Sequence, residues 1–376
     1  SGSAALVVAG AADMAIGGDQ GGSIRVPASY CGCYGLKPSF GLVPYTGAAP
    51  IERTLDHLGP MAATPRDLAV LLTVIAGPDG FDPRQPQLPP DDYLTGLADG
   101  VGGLRVGVVE EGFGWDQSEA GVDQAVRDGA AELARLGATV APVSIPFHRD
   151  GLHVWTGIAV EGAFNTVIRG NSGGTNAAGV FDTDLIDHIT RQRASDPNGF
   201  SDTVKFTALL GEHLQTAYGG HYYARARNLA RRLSDAYDDA LQRHDLLLMP
   251  TTPRQATVLP SPGAPPAEIL DRAWESEVNT RPFDVTGHPA LSLPCGLDEQ
   301  GMPFGLQMIG RLRGDPALLG AARALEAAWQ SDPLWRRPRP DAARLTESTV
   351  DLRAIVTHPP SAGAGQTRQG AAANAV

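Results

Sequence analysis

Lysine is almost missing from this chain, which has two, Lys37 and Lys205, among 376 residues and 30 basic side chains. Any amine base inside the sequence must be one of these two. Cysteine is equally scarce: Cys31, Cys33 and Cys295 are too few for a disulfide framework, and the Cys-x-Cys pair lacks partners for a zinc site. They read as buried thiols in a reducing compartment, which points to the cytoplasm. Positive charge is short, giving a net charge of −12 and a pI near 5.2. Such a surface attracts neither nucleic acid nor an anionic membrane, and a small neutral substrate fits it better. No apolar run reaches the ~18 residues a membrane helix needs. The phosphate loop, the His-Glu-x-x-His pair and a dinucleotide glycine fingerprint are all missing, so no cofactor and no metal is expected. Gly170-Asn171-Ser172-Gly173-Gly174 has the spelling of a nucleophile elbow but follows a helical pattern where the elbow requires a strand, and reads as a loop.

What the chain does have is concentrated in Ile16 to Lys37, IGGDQGGSIRVPASYCGCYGLK. Here Ser23 directly follows Gly21 and Gly22 and precedes a helical pattern, which suits acyl transfer. A serine nucleophile needs a base to take its proton, and its tetrahedral intermediate needs preorganised donors for an oxyanion. Two residues without a Cβ let consecutive backbone N–H groups approach a bound carbonyl. If Ser23 opens the helix, the positive end of the helix dipole points at the same spot. The plainer alternative is an ordinary turn with a serine N-cap.

Patterning along the chain describes an α/β protein. Ser3 to Ala12 reads as a buried helix, Asp13 to Gly17 as a strand and Ser23 to Cys31 as a two-turn helix. Thr64-Pro65-Arg66-Asp67 carries a cap, a first-position proline and a capping acid before the apolar Leu68 to Ala76. A Pro-, Asp- and Gly-rich loop spans Pro78 to Gly100. Leu104 to Val109, Val122 to Leu136 and Thr139 to Val143 then form a strand-helix-strand unit, which predicts parallel strands. Helices are expected at His153 to Arg169, Thr203 to Thr216, Tyr222 to Gln242 and Pro316 to Gln330. Strands are expected at Leu246 to Met249, Ala290 to Pro294 and Phe304 to Ile309. From Ser331 the composition turns to Pro and Arg, then to Ala, Gly and Gln, and residues 331–376 read as a disordered tail. His148 and His153 have no metal spacing and read as surface residues. His57 and His288 read as hydrogen-bonded structural histidines.

The run Asp19-Gln20-Gly21-Gly22-Ser23-Ile24-Arg25, continued by Pro27, Cys31-Gly32 and Gly35-Leu36-Lys37-Pro38, resembles the amidase signature family. Similarity continues through Val43 to Gly47, Ile51 to Pro60, Asn279 to Pro294 and Gly305 to Arg311, reaching about residue 330. Gln20 and the stretches at 43–47 and 51–60 look most like amidases that follow nitrile hydratase in nitrile breakdown. The resemblance implies one amidase domain over residues 1–330, a mixed β-sheet core covered by helices on both faces. It implies Ser23 as nucleophile, a cis-peptide serine as relay and a lysine as base. It further implies an oxyanion hole from the N–H groups of Gln20, Gly21, Gly22 and Ser23.

In the family the relay serine lies inside a longer glycine- and serine-rich run, of which this sequence begins with Ser1-Gly2-Ser3-Ala4. Relay and base are therefore expected upstream of residue 1, as is any targeting signal, since the first Met is Met14. Lys37 sits in a family segment where it is not the base, and Lys205 lies in a solvated helical stretch. Ser1 and Ser3 could approach Ser23 but do not align on the relay. A Ser23–His57–Asp56 triad is disfavoured because neighbours in sequence rarely orient each other. Asp19 and Arg25 flank the nucleophile and are expected to tie its loop down. Leu55, Trp155 and Met308 fall where the walls of the family's pocket are expected, with core packing as the other reading of each.

Together these point to hydrolysis of a neutral carboxylic amide to acid and ammonia through an acyl-enzyme, with a homodimer allowed and no nucleic-acid or membrane partner. Three alternatives remain open: a glutamine-dependent amidotransferase subunit, an incomplete and inactive amidase, and a carboxylesterase.

Overall fold

The backbone hydrogen bonds of this chain are gathered into one eight-stranded mixed sheet with strand order β1-β3-β2-β7-β8-β6-β4-β5. The strands are β1 (Met14–Asp19), β2 (Tyr34–Lys37), β3 (His57–Ala62), β4 (Arg105–Val109), β5 (Thr139–Val143), β6 (Leu246–Pro250), β7 (Ala290–Leu297) and β8 (Pro303–Gly310). The computed structural model describes residues 2–86, 90–175 and 177–329. The expected tail, Ser1 and Gln330 lie outside the described residues.

The strand-helix-strand unit forms as its pattern predicts. β4 and β5 pair in parallel in the register Arg105↔Thr139, joined by α4 (Ala120–Arg135), whose Val122, Val126 and Leu133 are buried. β6 adds to β4 in parallel, and the remaining pairs are antiparallel. Every residue of β6 and β8 is buried. Because successive side chains of a strand point to opposite faces, both faces of the sheet are covered there.

Helices α1 (Gly2–Val8), α2 (Arg25–Cys31), α3 (Pro65–Ile75), α5 (His148–Ala163), α6 (Thr183–Ser195), α7 (Asp202–Tyr218), α8 (His221–Arg243), α9 (Pro266–Trp274), α10 (Arg281–Thr286) and α11 (Asp315–Trp329) flank the sheet. α3 starts as its sequence dictates, with Thr64 Oγ1 accepting from the N–H of Asp67 at 3.1 Å. Lys205 carries a side chain 40% exposed and 4.0 Å from Asp202, as expected of a solvated face.

Several expectations are corrected. α1 stops at Val8 and buries only Ala4 and Val7, because the small residues that follow enter a turn. The helix expected from His153 begins five residues earlier, at His148, and its last turn from Phe164 to Arg169 is a π-helix. That shift places His148 inside the protein: it is fully buried, with Nδ1 2.6 Å from the Tyr237 hydroxyl and Nε2 3.0 Å from Asn279 Oδ1. His153 is exposed. Cys31 is half-buried, whereas Cys33 and Cys295 are buried. No helix among the described residues is long and apolar enough to cross a membrane.

Candidate active site

β1 runs antiparallel to β3, with Asp19 opposite His57, and ends at Asp19. The chain then turns through Gln20 to Ile24 into α2. Ser23 is exposed while Gly21, Gly22, Ile24 and Arg25 on either side are buried. Ile24, not Ser23, occupies the N-cap position, and its side chain makes no capping hydrogen bond. The capping reading of Ser23 is thereby removed. Its hydroxyl makes no hydrogen bond among the described residues. The helix end is spoken for: Asp19 Oδ2 accepts from the N–H groups of Ile24 at 3.1 Å and Arg25 at 3.4 Å.

The carbonyls of Gln20, Gly21 and Gly22 are pinned one by one. Trp155 Nε1 donates to Gln20 O at 2.5 Å, Thr280 Oγ1 to Gly21 O at 2.5 Å, and the N–H of Val26 to Gly22 O at 2.7 Å. The opposite edges stay open, since none of the N–H groups of Gln20, Gly21, Gly22 and Ser23 donates to protein among the described residues. Unpaired amides around an exposed hydroxyl are the geometry an oxyanion requires. The glycines are needed for it. Gly22 sits at φ +148°, and a Cβ on Gly21 would lie 2.9 Å from Trp155 Cζ2.

Beneath the turn lies a buried charge network. Arg25 Nε and Nη2 donate to Asp19 at 3.0 and 2.9 Å, Nη2 also to Asp284 at 2.8 Å, and Nη1 to Thr280 O and Gln307 Oε1 at 2.8 and 2.9 Å. Burial pushes the Asp19 carboxyl up, but the guanidinium against it prevails and holds it well below the usual carboxylate range. Asp284 goes the other way, raised by burial and by the charge of Asp19. Lys37 is also fully buried, donating to Pro38 O at 3.2 Å, and burial pushes its amine down to about 7.

His57 and His288 are structural, as expected. Burial holds the His57 imidazole well below its ordinary value, and its Nδ1 lies 2.7 Å from Leu55 O. Asp56 instead accepts from the N–H groups of Ile51 and Glu52, so it does not orient His57. His288 sits between Thr286 and Asp238. Of the expected pocket residues, Trp155 touches the turn through Gln20. Leu55 and Met308 are fully buried in the main hydrophobic core. No group of three or more His, Cys, Asp or Glu able to hold a metal exists among the described residues.

Residues 1–319 match the family described as Amidase. The chain belongs to the amidase signature family. This amidase-family chain is 47% identical over 352 residues to an enantioselective amidase of Rhodococcus rhodochrous, covering 93% of the chain and 66% of that protein. It is 38% identical over 341 residues to a glutamyl-tRNA(Gln) amidotransferase subunit of Microcystis aeruginosa, covering 90% of the chain and 68% of that protein. The solved peptide amidase of Stenotrophomonas maltophilia superposes with a TM-score of 0.65 at 28% identity, over 90% of this chain and 66% of that one. The chain thus spans about two thirds of the length of these relatives.

Sequence reasoning did not find Thr280, Asp284 or Gln307 as members of the site. All three lie within the two stretches, Asn279 to Pro294 and Gly305 to Arg311, that carry the distant part of the family resemblance. The signal was present, but not the contacts.

Proposed function

We propose that the chain carries the acyl-transfer centre of an amide hydrolase, with Ser23 as nucleophile and a neutral carboxylic amide as substrate. The observation that carries this reading is the exposed Ser23 hydroxyl beside four unpaired N–H groups, on a turn whose Gln20, Gly21 and Gly22 carbonyls are held from behind. Ser23 Oγ attacks the amide carbon, and the oxygen that becomes negative is received by the N–H groups of Gln20 to Ser23. Collapse breaks the C–N bond as the leaving nitrogen takes up the proton removed from Ser23 and departs as ammonia, and water then hydrolyses the ester to acid and free serine. The role of Asp19 and Arg25 is to fix the turn, not to touch substrate. Trp155, anchored on Gln20, supports a pocket wall beside the carbonyl. Gln20 and the stretches at 43–47 and 51–60 support the narrower assignment to nitrile-pathway amides.

Proton removal from Ser23 follows the family pattern of relay serine and lysine. Among the described residues no base is hydrogen-bonded to Ser23 Oγ, so ammonia release by residues 1–376 alone is expected to be negligible. The test compares ammonia release from a neutral amide by the chain alone and by the chain joined to the relay- and lysine-bearing segment of a relative, each with Ser23 and with Ser23→Ala. Activity of the joined protein that survives Ser23→Ala would refute the assignment. The 38% identity to an amidotransferase component favours a second reading as a glutamine-using subunit. Glutaminase activity exceeding that on simple amides would select it.

A further inference from the structure

A hollow of about 620 Å³ opens where the π-helical turn that follows α5, the end of α6 and the start of α7 come together. Its size is within the range of small-molecule sites. Its walls include Ile168, Asn171, Arg193, Phe200, Lys205 and Leu209, none of which belongs to the serine turn or its supports.

The charge of this place is opposite to that of the chain. On a protein with a net charge of −12, two cations line the hollow and no acid does. Lys37 is fully buried, so Lys205 is the one lysine whose amine reaches solvent. Its ion pair with Asp202, at 4.0 Å between half-exposed side chains, is of the kind that contributes little and leaves the ammonium available.

The polar side of the hollow is held in place before anything enters it. Asn171, in the Gly170 to Gly174 loop, sits at φ 47°, uncommon for a residue with a Cβ. Its side-chain amide donates to Thr190 Oγ1 at 2.8 Å, and its oxygen accepts from Arg193 Nη1 at 2.5 Å. The same Nη1 donates to Ile168 O in the π-helical turn, a backbone form that recurs at functional sites. Nε and Nη2 of Arg193 have no acceptor among the described residues. Together they are the edge of a guanidinium that receives a carboxylate through two parallel hydrogen bonds.

The other walls are apolar. Ile168, Phe200 and Leu209 give an aliphatic chain something to lie against, and Leu209 is 74% exposed. A bare phosphate would use none of this surface, and a neutral amide would leave both cations without a counter-charge.

We infer that this hollow is a binding site for a monocarboxylate with a compact apolar body, its carboxylate on Arg193 and Lys205 and its chain against Ile168, Phe200 and Leu209. The site does not depend on Ser23 or on the hydrolase reading. The test is calorimetric titration of the full 376-residue chain with hexanoate, hexanamide, acetate and inorganic phosphate, of which hexanoate is expected to bind most tightly. Arg193→Gln should weaken hexanoate about tenfold, as loss of a charge-assisted pair does, and Lys205→Gln about threefold, as loss of an exposed one does. Leu209→Glu, which places an acid at an exposed position on the rim, should weaken it at least about fivefold and serves as an independent probe if Arg193→Gln is unstable. Saturating hexanoate should also slow reductive methylation of Lys205, followed by peptide mass spectrometry, with the N-terminal amine as the unprotected control. Hexanamide, acetate or phosphate binding as tightly as hexanoate would overturn the inference. So would the absence of hexanoate binding at millimolar concentration, unchanged affinity in Lys205→Gln and Leu209→Glu, or equal methylation of Lys205 with and without hexanoate.

Discussion

Asp19 and Arg25 face each other across the serine turn, six residues apart in sequence and paired by two side-chain hydrogen bonds of 2.9 and 3.0 Å with no solvent contact. The same carboxylate receives the first amides of α2. One acid therefore closes the strand, opens the helix and holds the guanidinium that reaches across to α10 and β8. Ser23 is left outside this lock, on a turn with little freedom to move.

Removing the cation should show how much depends on it. Arg25→Met leaves Asp19 and Asp284 buried beside each other without the guanidinium between them, and a broken buried pair costs about 3–5 kcal/mol. Thermal or urea unfolding of the chain should show a loss of that order. A change below about 1 kcal/mol would mean that the network contributes little.

Ser23→Ala should leave stability within about 0.5 kcal/mol, since the side chain is exposed and its hydroxyl makes no hydrogen bond among the described residues. Turnover in a version competent for catalysis should fall by about four orders of magnitude or more. Unfolding curves and ammonia release measured together separate the two effects.

Lys37 should make stability rise with alkaline pH. Burial lowers its folded pKa to about 7 from 10.5, so between those values the unfolded chain binds a proton that the folded chain does not. The slope reaches at most about 1.4 kcal/mol per pH unit. Stability measured against Lys37→Met from pH 7 to 9 should show the wild-type chain gaining relative to the variant; a flat difference would contradict the burial of a titrating amine.

His148 gives an acid counterpart. Burial lowers its folded pKa to about 4 from 6.5, so stability is lost as pH falls from 6.5 towards 4, where the unfolded chain takes the proton first. His148→Asn should flatten that loss relative to wild type. Asp56, raised to about 7 by burial, works in the opposite direction over an overlapping range, so the comparison with the variant is the one to measure.

Thr64→Ala should cost about 0.5–2 kcal/mol, the usual worth of an N-cap, read from chemical denaturation. This start was legible because every group in it is local: cap, proline and acid lie within four residues.

The same locality marks what the sequence by itself determined. A strand, two glycines, a serine and a helical pattern in one continuous stretch placed a turn before α2, with open amides as one of two readings of it, and parallel β4 and β5 followed from their connection through α4. Helix ends that depend on burial were not legible. His148 sits on a polar-looking stretch, and only Tyr237 and Asn279, 89 and 131 residues away, satisfy both ring nitrogens inside the protein. β2 is only four residues long, and β3 carries Gly59-Pro60 in place of an alternating pattern, so both become strands through pairing with β7 and β1. The tertiary structure alone decided that Thr280, Asp284 and Gln307 meet Arg25 across more than 250 residues, because a buried guanidinium must collect acceptors wherever the fold delivers them, and spacing along the chain carries no record of that.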